Sequence, residues 1–375
     1  MSRVVYLHIG APKTGTTYLQ DRLDLNGRAL RRHGIHFPVG SLGMRASSAH
    51  FLAALDLLGA DWGGPPGHAH GQWDALMKRV RRLDGTVIIS HEILSAATPE
   101  QVTRAMADLD DSEVHVVYSA RDLARQIPAV WQESIKQGRR WSYKKYVRDL
   151  QNRPDVNFWK SQSLPAVLSR WSAGLTPERV HLVTVPQPGA PAHLLWQRFC
   201  SVFGIEPEWA RQDSVRANPS MGVAETALVR RLNKRLRGAG LTREDHRILV
   251  KEMLVQRNLA NRAHTGKVAL PPRSLAWAQE VVDGWVDWVE GSGIDVVGDL
   301  RELRPAAPER NAKWVNPDRP GSKAMADAAL VALAAMTEEA ARRTPADQQL
   351  SHRVVRAVRR VTPRRTATPE TRTTP

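Results

Sequence analysis

Four short runs of aliphatic and β-branched residues constrain the fold more than anything else in this chain. They lie at 4–9 (VVYLHI), 86–90 (TVIIS), 114–119 (VHVVYS) and 180–185 (VHLVTV). A strand with one wet face alternates apolar and polar residues, whereas these runs are apolar nearly throughout, as strands covered on both faces are. Helical spacing at 18–33, 72–83, 99–108 and 164–173 fills the intervals. Strand and helix in alternation predict an α/β fold with a central parallel sheet flanked by helices.

Two stretches interrupt the alternation. Residues 39–71 are rich in Gly, His and Ser, and 137–163 in aromatic and basic residues; both read as loops or short helices laid over a site. After Pro186 the pattern is helical at 193–203, 222–237, 243–256 and 273–290, with an alanine-rich helix expected at 324–341. The reading divides the chain into an α/β domain over 1–310 with a helical C-terminal part, a helical extension over 311–350, and a basic tail over 351–375. The tail sets seven arginines against Glu370, and its composition predicts disorder.

Directly after the first run stands Gly10-Ala-Pro-Lys-Thr-Gly-Thr-Thr17, leading into a helical pattern. Strand, glycine-containing loop and helix start present backbone N–H groups and the positive end of a helix dipole to an anion. This makes the sheet P-loop-type. The spacing departs from the nucleotide-triphosphatase loop GxxxxGK[ST], because Thr16 holds the lysine position and Lys13 lies two residues before the second glycine.

The segment Pro12-Lys13-Thr14-Gly15-Thr16-Thr17 resembles the 5′-phosphosulfate loop of the PAPS-dependent sulfotransferases, in the form PKTGTT. The resemblance implies a sulfotransferase of the bacterial or carbohydrate type, with PAPS as donor and PAP as product. It implies that Lys13 meets the sulfuryl-bearing phosphate, while Pro12, Thr14, Gly15, Thr16 and Thr17 form the cradle. The same family follows a later strand with an arginine for the donor's 3′-phosphate, which matches Arg121 after VHVVYSA. The serine expected eight residues on is Ala129 here; Gln126, Gln132 and Ser134 are candidate replacements, and Arg125 reads as a solvated helix residue. A fainter resemblance, to a KGR-type loop, involves Thr265, Gly266 and Lys267 ahead of Pro271 and implies that Gly266 and Lys267 touch the donor.

The second run ends in Ser90-His91-Glu92. Ligands of open parallel sheets sit along the carboxyl ends of the strands, so this pair joins the loop and Arg121 on one rim. Transfer to a hydroxyl needs a base within hydrogen-bond reach of it, and both His91 and Glu92 qualify. The carbohydrate branch favours Glu92 and points to a hydroxyl or amine of a glycan, glycolipid or small-metabolite acceptor.

The formal charge of +16 suits anionic partners without choosing among them. It keeps two rivals open: a P-loop kinase, and a non-enzymatic nucleic-acid-binding protein that lacks any recognisable motif. No specific nucleic acid is expected; a weak contact of the tail with an anionic surface is. No metal is required, and His68 and His70 in GHAHG read as a polar loop. One cysteine, Cys200, expected to be buried, fits a reducing compartment, and neither a signal peptide nor an 18-residue apolar run is evident. The expectation is a cytoplasmic protein without a transmembrane segment. Of twelve tryptophans, Trp62, Trp73, Trp131, Trp141, Trp159 and Trp171 fall in or beside the two insertions, where flat rings could stack on an acceptor, Trp159 foremost, while Trp171, Trp196, Trp285 and Trp288 recur at helical spacing with aliphatics and read as core.

Overall fold

The computed structural model describes residues 3–39, 44–214, 220–262, 266–306 and 313–343. Among the described residues six strands form one sheet: β1 (Val4–His8), β2 (Ile35–His36), β3 (Thr86–Ser90), β4 (Glu113–Ala120), β5 (Val180–Thr184) and β6 (Asp295–Val297). Their order is β2-β3-β1-β4-β5-β6, and every pairing is parallel. The four strands expected from the sequence form its centre. The two it did not disclose, β2 and β6, are edge strands of two and three residues, too short to carry a pattern.

The helices are α1 (Thr16–Arg32), α2 (Ala46–Leu57), α3 (Gln72–Val80), α4 (Pro99–Ala107), α5 (Leu123–Lys136), α6 (Tyr143–Asn152), α7 (Asn157–Gln162), α8 (Leu164–Trp171), α9 (Leu194–Phe203), α10 (Val223–Arg235), α11 (Arg243–Asp245), α12 (Leu275–Ser292) and α13 (Ser322–Arg342). α11 continues as a π-helix over His246–Gln256. Both interrupting stretches hold short helices, one of the two forms expected: α2 lies in the first, α6 and α7 in the second.

Side-chain alternation explains why the strands read as continuously apolar. Ile88, Val117 and Val183 face one layer with Leu19 and Leu23 of α1 and Trp196, Phe199 and Phe203 of α9. Val87, Ile89, Val116, Tyr118 and Leu182 face the other, with Trp73, Trp131, Trp171 and Trp285. Cys200 is buried among the first group, and burial pushes its thiol up to about 12. Three of the insertion tryptophans, Trp73, Trp131 and Trp171, are therefore core. Trp159 is half-buried: its indole donates to the Leu150 carbonyl at 3.1 Å, and its ring meets Trp277 and Trp285 edge-on. Trp62 and Trp141 are exposed.

The helical extension is fastened to the body. Asp318 accepts from the Tyr143 and Lys144 amides, at 2.9 Å each, at the start of α6 and pairs with Arg230 of α10 at 3.2 Å. The expected tail at 351–375 and Thr265 lie outside the described residues. Among the described residues, no helix is long and apolar enough to cross a membrane.

Candidate active site

β1 is central, with β3 on one side and β4 on the other, so its carboxyl end is where the chain's crossovers change direction and where a crevice opens. The loop at 10–15 begins there on a buried polar network. His8 of β1 contacts the Ser90 hydroxyl at 2.8 Å through Nδ1 and the Ser119 hydroxyl at 3.2 Å through Nε2. Burial, with His91 nearby, depresses His8 to about 3, so it stays neutral near pH 7. Gly10 crosses directly above: a Cβ there would stand 2.4 Å from Ser119 Oγ and 2.6 Å from His8 Nε2. Only glycine lets the loop pass this close.

Thr14 points down into the network, its hydroxyl 2.6 Å from the Ala11 carbonyl and 2.5 Å from Ser119 Oγ. The Pro12 carbonyl is tied by the Gln126 and Gln162 side-chain amides. Pro12 and Thr14 thus hold the loop from beneath, and neither lines the crevice. Lys13 adopts φ 74°, alone among described non-glycine residues in the left-handed region, and Gly15 follows at φ 98°. Two left-handed residues in three turn the chain sharply into α1.

α1 starts without a side-chain cap. Its first bond runs from the Leu19 amide to the Gly15 carbonyl at 3.1 Å, which leaves the amides before it free to meet an anion. A cavity of about 220 Å³ opens against them, lined by Lys13, Gly15, Thr16, Thr17, Tyr18, Glu92, Arg121, Ala129, Gln132, Lys136 and Ser220. Thr16 is 3% exposed, and among the described residues its hydroxyl has no hydrogen-bond partner. A buried hydroxyl without a partner is costly; beside free amides it marks a place for an oxyanion.

Arg121 leaves the end of β4. Asp122 does not pair with it: Asp122 caps α5 by accepting from the Arg125 amide at 2.9 Å, and its carboxylate is bound by the Arg125 guanidinium. Arg125 also donates to the Pro186 carbonyl at 3.0 Å, so it is anchored and not solvated as expected. Among the described residues, Arg121 reaches only the Lys13 carbonyl, at 3.5 Å, and its Nε has no partner. Burial and the neighbouring Arg125 bring its guanidinium down to about 10 against the pull of Asp122. It remains charged at neutral pH and faces the cavity.

The consecutive His91 and Glu92 leave β3 side by side, with His91 Nδ1 3.9 Å from Glu92 Oε2. Glu92 lines the cavity. His91 is buried, packs against Phe51 at 5.2 Å between ring centroids, and accepts the Ile93 amide at 3.3 Å through Nδ1. Burial lowers its basicity, opposed by Glu92.

Of the candidates for the missing serine, Ala129 and Gln132 line the cavity. The Gln132 amide is already committed to the Met221 carbonyl at 2.6 Å and Thr226 Oγ1 at 3.0 Å, Gln126 to Pro12 and Gln162, and the Ser134 hydroxyl to the Trp131 carbonyl. Gly266 and Lys267 are exposed and do not line the cavity; the Gly266 carbonyl receives the Val223 amide at the start of α10. His68 of the polar loop is bonded to Asp61 at 3.0 Å and the Pro65 carbonyl at 2.8 Å.

Sequence reasoning missed a charged group on α5. Glu133 Oε2 lies 3.2 Å from the Lys13 ammonium and 3.9 Å from that of Lys136, while Oε1 lies 3.5 Å from Lys251. Burial pushes Glu133 up, but Lys13, Lys251 and Lys136 outweigh it and hold the carboxyl at about 2. The helical spacing of Ala129, Gln132 and Lys136 after a strand-end arginine was the available signal. Comparison with protein-family models, curated proteins and solved structures gives no match.

Proposed function

We propose that this chain is a PAPS-dependent sulfotransferase with a P-loop-type donor site. One observation carries the reading: the uncapped start of α1, Lys13, Arg121 and Glu92, which reach the crevice from the ends of three neighbouring strands, line one cavity. Free amides, an unpartnered hydroxyl, a lysine and an unpaired guanidinium together suit a ligand with two separate anionic groups. PAP and PAPS are such ligands.

In the transfer, the bond between the sulfuryl sulfur and the bridging oxygen of the donor's 5′-phosphate breaks, and its electron pair stays on that oxygen. A new bond forms from the acceptor oxygen to sulfur, and the acceptor proton passes to Glu92. Such transfers have loose transition states in which charge grows on the leaving oxygen, so fixed positive groups dominate catalysis. Lys13 and the amides of α1 supply them. Arg121 holds the 3′-phosphate and so sets the position of the 5′ end. The acceptor is a hydroxyl or amine of a glycan, glycolipid or small metabolite.

Calorimetric titration with PAP and, separately, with ATP and Mg²⁺ tests the donor, and transfer of label from ³⁵S-PAPS into an extract of source cells tests the reaction. Binding of PAP and appearance of a labelled product are expected. Binding of ATP in preference to PAP would overturn the reading in favour of a kinase.

A further inference from the structure

Lys136 ends α5, where a cation commonly serves only to complement the helix dipole. A lysine in that role keeps its ammonium in water. The side chain of Lys136 is instead 7% exposed, and it lines the same cavity as Lys13 and Glu92. Its ion-pair partner among the described residues is Glu133 Oε2, which at 3.9 Å stands beyond hydrogen-bond reach. An ammonium carries three donors that need acceptors when withdrawn from water. Burial makes Lys136 easier to deprotonate, Glu133 opposes this, and Lys13 and Lys251 add to it. The protein thus keeps a largely buried lysine at a cavity wall, its ammonium without a protein hydrogen bond among the described residues, beside two others that share the same carboxylate. Such arrangements mark sites that receive an anion.

The position specifies which anion. Lys13 and Lys136 approach the same atom, Glu133 Oε2, at 3.2 and 3.9 Å, so the two ammonium groups are close neighbours. Arg121, by contrast, enters from the end of β4 and contacts the backbone of Lys13. Lys136 is therefore placed beside the anionic group that Lys13 meets.

We propose that Lys136 is a second catalytic cation, a ligand of the sulfuryl group in transfer rather than of either nucleotide phosphate. This rests on the sulfotransferase reading. Lys13 takes the charge that grows on the bridging oxygen, and Lys136 takes the sulfuryl oxygens as sulfur passes from that oxygen to the acceptor. No proton leaves Lys136, and the acceptor proton still goes to Glu92.

The test uses the full chain and needs no identified acceptor, because release of labelled sulfate from ³⁵S-PAPS with water as acceptor breaks the same bond. Lys136→Met keeps the apolar stem and removes the charge; Lys136→Arg restores a charge, and Lys136→Gln serves if the methionine variant fails to fold. At saturating PAPS, Lys136→Met should lower the release rate about a hundredfold while the dissociation constant for PAP, which lacks the sulfuryl group, stays within about threefold. Lys136→Arg should recover at least a tenth of the lost rate. An unchanged release rate, or a loss of PAP affinity as large as the loss of rate, would overturn the proposal. The two readings fail separately: a wild-type chain that neither binds PAP nor releases label sinks the sulfotransferase reading. A wild-type chain that does both, with Lys13→Ala impaired and Lys136→Met not, sinks only the role of Lys136.

Discussion

Replacing Lys13 by alanine and by glycine separates its chemistry from its backbone. The ammonium pairs with Glu133 at 3.2 Å, both side chains being about a quarter exposed. Its removal does not strand a buried charge, because Lys251 and Lys136 remain 3.5 and 3.9 Å from the carboxylate. The lost pair should therefore cost about 1 kcal/mol or less. The φ of 74° is a second cost, ~1 kcal/mol for any residue with a Cβ, which alanine keeps and glycine relieves. Lys13→Ala should thus melt within ~2 °C of wild type, and Lys13→Gly should melt at or slightly above Lys13→Ala. Both variants lack the ammonium, and loss of one such transition-state donor costs about 10² to 10³ in rate, or ~3 to 4 kcal/mol. Release of sulfate from ³⁵S-PAPS and thermal melting in parallel read the two quantities. Turnover by Lys13→Ala within tenfold of wild type would refute the role of the ammonium. A glycine variant that melts below the alanine variant would refute the strain.

Arg121→Ala should weaken PAP by about ten- to a hundredfold and AMP, which lacks the 3′-phosphate, by much less, since a charged hydrogen bond to that group is lost; equal weakening in calorimetry would contradict the assignment. Glu92→Gln should bind PAP normally and lose most transfer into the labelled extract product. His91→Asn should keep most transfer, since asparagine can still accept the Ile93 amide and only the ring's packing against Phe51 is lost, and the reverse pattern of activities would make the histidine the base.

The sequence disclosed what local pattern encodes and concealed what only folding brings together. β1, β3, β4 and β5 were legible because both of their faces are buried. β2 was not, because Ile35–His36 gives no period to read. α2 was hidden by the Gly- and His-rich residues that follow it, although its own segment, ASSAHFLAALDL, is apolar. Lys13, Glu92 and Arg121 were legible from their places after strands. Lys136 and Glu133, three residues apart on a helix, look in sequence like an ordinary solvated pair; their meaning depends on Lys13 and Lys251, which are distant in the chain. Likewise, the choice between His91 and Glu92 could be posed from strand alternation, but the burial of His91 against Phe51 belongs to a helix the composition had hidden.

The central place of β1 has a consequence for biosynthesis. The strand is made first, yet Val4 pairs with Thr86 and Glu113, partners that follow about 80 and about 110 residues later, or roughly 5 to 20 s at ordinary translation rates. Until β3 is made VVYLH has neither neighbouring strand, and until β4 is made it has only one of the two, although both its faces are to be covered. The nascent chain should therefore be most vulnerable to aggregation, and most in need of a chaperone, before β4 emerges from the ribosome. Once β4 has emerged, the center of the sheet can close around β1 while the edge strand β6 is still to be synthesised.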